Sequence, residues 1–122
     1  MAPRTTRRLL ILVVVAVAGT LAVASVTSAA STLSIRASKT QTKYNKSTLR
    51  AKHGKVTIAM ANPSSFKHAV SIKGKGVNAK GKIVGTGKTS RVSATLKKGT
   101  YTFYCQVGDH ASAGMKGKLI VN

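Results

Sequence analysis

Near the C-terminus a thiol, an imidazole and a thioether fall close together: Cys105, His110 and Met115, at the spacing Cys-x4-His-x4-Met. A second imidazole, His68, lies far upstream, just after an Asn62-Pro63 turn signal. Thiolate and thioether are soft donors that favour Cu(I), whereas imidazole suits both oxidation states of copper. One thiolate, two imidazoles and a weak thioether therefore match the donor set of a His2Cys copper centre with a long axial methionine. A site acceptable to both oxidation states needs little rearrangement when one electron moves. The other chemically capable residues read as structure. His53 precedes Gly54 in a turn and lacks ligand-like neighbours, Met60 falls on the alternating apolar face of a strand, and Asp109 reads as a turn aspartate.

Composition narrows the alternatives. The chain has 122 residues, with 21 Lys and Arg against a single acidic residue and a single cysteine. Paired-carboxylate hydrolysis is excluded, because one aspartate cannot serve as both acid and base. An all-carboxylate calcium or magnesium cage fails for the same reason. One cysteine can form neither an internal disulfide nor a cysteine-rich zinc site. Two glycine-rich stretches imitate nucleotide motifs without completing them. Gly85-Thr86-Gly87-Lys88-Thr89 has Lys82 where a phosphate-binding loop needs its first glycine. Gly74-Lys75-Gly76-Val77-Asn78-Ala79 is followed by neither a helical pattern nor an acidic ribose partner.

The elements that must position the donors read as short strands. Leu33, Ile35 and Ala37 alternate with polar neighbours, as do Val56, Ile58 and Met60, and Val92, Ala94 and Leu96. Ala69 to Ile72 and Lys118 to Val121 form two further apolar runs. Tyr101, Phe103 and Cys105 share one face of a strand, so the thiol points inward, and Lys97-Lys98-Gly99 supplies the turn before it. Lys73 to Arg91 is rich in lysine and glycine, with only Ile83 and Val84 to anchor it. It reads as an exposed, partly mobile connection carrying one weak edge strand. About seven strands in so short a chain suggest an all-β sandwich or small barrel.

The N-terminus reads as an export address. Arg4, Arg7 and Arg8 precede an uncharged run from Leu9 to Val26, and Thr27-Ser28-Ala29-Ala30-Ser31 offers the small residues that signal peptidase accepts. The expected organisation is a signal peptide over residues 1–30, cleaved after Ala30, and one domain over residues 31–122. An uncleaved membrane anchor is the alternative, since the apolar run is just long enough to span a bilayer. Removal of the three arginines lowers the formal charge of +20 to +17. Such a surface suits an acidic or membrane-bound redox protein, or an anionic cell envelope. No recognition helix or interleaved aromatics point to specific nucleic-acid binding.

Several segments together resemble the cupredoxin family. Tyr44 to Leu49 with Gly54 to Ile58 is similar to its early strands, and Asn62-Pro63-Ser64-Ser65-Phe66-Lys67-His68 to its first ligand segment. Leu96 to Cys105 is similar to the strand that carries the cysteine, and Gly114-Met115-Lys116-Gly117 to the end of the ligand loop. The resemblance implies a Greek-key β-sandwich of about seven strands holding one type I copper ion, with His68, Cys105, His110 and Met115 as ligands. It implies an exported, monomeric carrier of single electrons rather than an enzyme; copper delivery or sequestration through the same ligands is the alternative. One departure stands out. The family usually places Asn directly after its first histidine, where it helps hold the ligand loop, and this chain has Ala69.

Overall fold

The computed structural model describes residues 11–24 and 30–122. Arg4, Arg7, Arg8 and residues 25–29 of the expected cleavage region lie outside the described residues. Residues 11–24 carry no regular secondary structure, and among the described residues no helix is long and apolar enough to cross a membrane.

Eight strands follow: β1 (Ser31–Arg36), β2 (Thr48–Ala51), β3 (Gly54–Ala61), β4 (Ser71–Gly74), β5 (Val77–Lys80), β6 (Thr89–Leu96), β7 (Gly99–Tyr104) and β8 (Lys116–Val121). They form a three-stranded sheet in the order β1-β3-β6 and a five-stranded sheet in the order β2-β8-β7-β4-β5. β1 runs parallel to β3 and β2 parallel to β8, while every other pair is antiparallel. The chain changes sheet repeatedly, so both sheets contribute to one shared core. Alternation decides which residues enter it, because successive side chains point to opposite faces. Val56, Ile58 and Met60 of β3 are fully buried opposite Ala94, Val92 and Ser90 of β6. From the other sheet come Ile72, Tyr101, Phe103, Leu119 and Val121.

The expected alternating strands form, and Met60 lies in the core as anticipated. Two readings change. The apolar run at Ala69 begins strand pairing only at Ser71; Ala69 and Val70 are buried but outside the strand. The lysine- and glycine-rich stretch from Lys73 to Arg91 is more ordered than its composition suggests. It contains the end of β4, the edge strand β5, the start of β6 and a strap between them. Gly74-Lys75-Gly76 forms the β4–β5 turn, with positive φ at all three positions. The strap is held by backbone hydrogen bonds and by Val84, which is buried in the core, while Ile83 stays exposed. Gly81 N–H donates to Val70, Val84 and His68 exchange both backbone bonds, and Gly87 N–H donates to the Asn62 carbonyl.

Candidate metal centre

Two separate stretches bring the donors together. His68 ends the loop after β3, a loop organised by one buried side chain. Asn62 donates through Nδ2 to the carbonyls of Phe66 (2.7 Å) and Val84 (3.0 Å), and its Oδ1 accepts from Ser64 N–H and Oγ. The Val84 carbonyl also accepts from His68 N–H, at 3.1 Å. Asn62 therefore fixes the point from which the imidazole projects. Thr86 Oγ1 adds a bond to the Ser64 carbonyl at 2.7 Å.

Cys105 follows directly on β7, and its N–H donates to the Met115 carbonyl at 3.0 Å, closing the loop between them. Within that loop His110 N–H donates to Val107, and Met115 N–H donates back to His110, at 2.9 Å. Gly114 takes φ 115°, a conformation that L side chains rarely adopt. Asp109 is exposed and serves the turn through its carbonyl, which accepts from Ala113 N–H and Ser112 Oγ. The loop is also tied sideways. Gln106 Oε1 accepts from the Ser71 hydroxyl, and Gln106 Nε2 donates to the Gly81 carbonyl at 2.7 Å. Met115 is fully buried beside Cys105 in the core.

The result is a triangle of donor atoms. His68 Nδ1 and His110 Nδ1 are 3.2 Å apart, and Cys105 Sγ lies 4.0 Å from the first and 3.6 Å from the second. A circle through the three atoms has a radius of about 2.1 Å, within the range of metal–nitrogen and metal–sulfur bonds in protein sites. One ion could therefore touch all three at once, and the soft-plus-imidazole set fits copper in either oxidation state. Cys105 and His68 are buried, and His110 is partly exposed. Burial lowers the His68 pKa below the ordinary histidine value, and the charge of His110 lowers it further. A neutral imidazole is the form that binds metal.

The sulfur has its own partner. Ala69 N–H meets Cys105 Sγ at 3.4 Å, so the backbone supplies a hydrogen bond although position 69 has no amide side chain. Beneath the site, Tyr44 donates to the Ala69 carbonyl and packs against Phe103 at 5.5 Å between ring centroids. Burial, and next the nearby Cys105, push the Tyr44 hydroxyl far above its ordinary pKa, so it remains a donor. His53 stays apart, exposed and paired with the Asn122 carbonyl. Asn62, Gln106 and Tyr44 were not singled out as site residues from sequence. Only the Asn-Pro turn hinted at Asn62.

Residues 11–121 match the family model described as a cupredoxin-like domain. The chain belongs to this family. Within this cupredoxin, a 38-residue stretch is 55% identical to plastocyanin A/B of Petroselinum crispum, covering 31% of the chain and 36% of the plastocyanin. The match thus spans little more than a third of that relative's length. Solved structures agree on the fold. A dithionite-reduced auracyanin from Roseiflexus castenholzii aligns with a TM-score of 0.67 at 22% identity, over 75% of this chain and 96% of that one. Auracyanin A of Chloroflexus aurantiacus, described as a "blue" copper protein, aligns with a TM-score of 0.66 at 24% identity, over 77% and 100%.

Proposed function

We propose that this cupredoxin is an exported, monomeric carrier of single electrons that holds one type I copper ion. The observation that carries the reading is the donor triangle of His68 Nδ1, Cys105 Sγ and His110 Nδ1, which one ion could span. Bound copper would supply one-electron chemistry between Cu(II) and Cu(I). The residues do the rest. Cys105, His68 and His110 would hold the ion, and Met115, buried beside Cys105, would be its fourth, weaker sulfur donor. Asn62, Gln106 and the Val84–His68 backbone pair keep the donors in place, so little moves when the charge changes. The burial of Cys105 and His68 would shield a bound ion from water and competing ligands. His110, the partly exposed donor, is the edge at which a partner would approach.

Buried donors on a braced frame favour electron carriage over copper delivery, because handing on an ion requires ligands that an acceptor can reach. Four protein donors also leave no open position for a substrate, which argues against an enzyme. In this reading residues 1–30 are a signal peptide removed after Ala30, and the basic domain works outside the cytoplasm with an acidic or membrane-bound redox protein. The test is a visible spectrum of the purified chain on adding Cu(II). An intense thiolate-to-copper band, bleached by reduction and restored by oxidation, is expected. Cys105→Ser should abolish the band in a chain that still folds. An unchanged spectrum in that variant would refute the ligand assignment.

A further inference from the structure

Next to the donor triangle lies a buried hydroxyl that coordination itself does not require. Tyr44 Oη donates to the Ala69 carbonyl at 2.6 Å, across 25 residues of chain. The same Ala69 presents its N–H to Cys105 Sγ at 3.4 Å. Ala69 is fully buried and its methyl group can make no polar tie of its own. It also lies outside the strands, so no ladder fixes it. On its N-terminal side the chain is pinned by the backbone pair between His68 and Val84. On its own carbonyl it is pinned by Tyr44. Tyr44 is in turn well anchored: its backbone bridges Ala37, its ring packs on Phe103, and Asn45 N–H donates to the Arg36 carbonyl. The segment before it also borders the ligand loop, where Gly114 faces the Thr42 carbonyl.

We propose that Tyr44 is a positioning residue for the metal centre: its hydroxyl holds Ala69 so that the Ala69 N–H stays aimed at the Cys105 sulfur. An N–H donor draws electron density from a thiolate, and hydrogen bonds to ligating sulfur raise a site's reduction potential. Tyr44 thereby sets a property of an atom it does not touch. The effect on the potential rests on the copper reading above; the effect on the Ala69 amide does not.

The test compares two variants that each lose one tyrosine hydroxyl. Tyr44→Phe keeps the ring against Phe103 and removes the bond to Ala69. Tyr101→Phe removes a similar bond, from Tyr101 Oη to the Lys97 carbonyl at 2.8 Å, at a residue paired with β8. Hydrogen exchange of the Ala69 amide is followed by NMR in the metal-free full chain, relative to the core amide of Ile58. Tyr44→Phe should speed Ala69 exchange at least threefold against that reference, and Tyr101→Phe should leave the ratio unchanged. In the copper-loaded protein, Tyr44→Phe should lower the reduction potential and Tyr101→Phe should not. Replacing Tyr44 by 3-fluorotyrosine, a stronger donor of nearly the same shape, should slow Ala69 exchange, and this measurement decides the matter if the phenylalanine variant does not fold. An unchanged Ala69 ratio in Tyr44→Phe, or equal changes in both phenylalanine variants, would overturn the proposal. So would an unaltered potential. If the wild-type chain takes up no copper, the functional reading fails, while the exchange ratio still decides the role of Tyr44.

Discussion

Cys105 makes the strongest demand on its surroundings, because the form that binds metal is the thiolate, and a buried negative charge needs a partner. His68 shows how the neighbours answer. Its burial, and then the charge on His110, lower its pKa, so it stays neutral where an unfolded chain's histidine would protonate. The sign follows from linkage. The unfolded chain takes up the proton first as pH falls, so the metal-free fold loses stability as the pH drops below about 6.5 toward the lowered folded value. Thermal melts of the metal-free chain should show a midpoint falling over that window, with the fall reduced in His68→Gln. At the same scale, Asn62→Ala removes two donated bonds and one acceptor from a buried hub. Each buried group left without a partner costs about 1–3 kcal/mol. Urea unfolding should report a loss of that order or more. The residues of the donor triangle could be picked out in sequence because Cys and His are scarce in this chain; Cys105 and His110 lie close together, and His68, far upstream, was marked by its Asn-Pro lead-in. Asn62, Gln106 and Tyr44 could not, since nothing in a sequence shows which carbonyl a buried amide or hydroxyl will reach.

Between residues and the whole molecule stand the strands, and here alternation told most of the story. β3 buries every second side chain, and β6 and β7 do so except at Ala94 and Gly99, so their faces could be read directly. β2 escaped the pattern because it has four residues and contributes only Leu49 and Ala51 to the core. The strap between β5 and β6 escaped for a different reason. Most of its order comes from backbone bonds to Val70, His68 and Asn62, which leave no hydropathy signal, and only Val84 adds a buried apolar anchor. The consequence for the site is direct, because the strap braces the loop that carries His68. One contact in β8 can be tested alone. A side chain at Gly117 would run into the Phe103 ring and the Ser47 carbonyl. Gly117→Ala should therefore destabilise the fold by about 1–3 kcal/mol, as overpacking does, and the urea midpoint should fall. An unchanged midpoint would show that β8 can shift away from β7.

At the scale of the whole molecule the charge dominates. A formal charge of +20, with one acidic residue against 21 Lys and Arg, creates a long-range field. Fields of this kind govern encounter rates more than final affinity, and salt screens them within about 10 Å at 0.1 M. Association of the folded domain with anionic vesicles, or electron exchange with an acidic redox protein, should therefore slow by at least tenfold between low and physiological salt. Stopped-flow rates across an ionic-strength series measure this, and rates indifferent to salt would assign the charge another purpose. The fold itself was legible at this scale, because short alternating strands in a small chain permit few architectures. Everything above turns on two remote loops aiming three donor atoms at a single copper ion. A crystal structure of the copper-loaded chain, with anomalous scattering recorded at the copper edge, tests it most directly. One strong peak is expected within bonding distance of His68 Nδ1, Cys105 Sγ and His110 Nδ1. A peak beside His53, or elsewhere on the surface with none between those atoms, would contradict it.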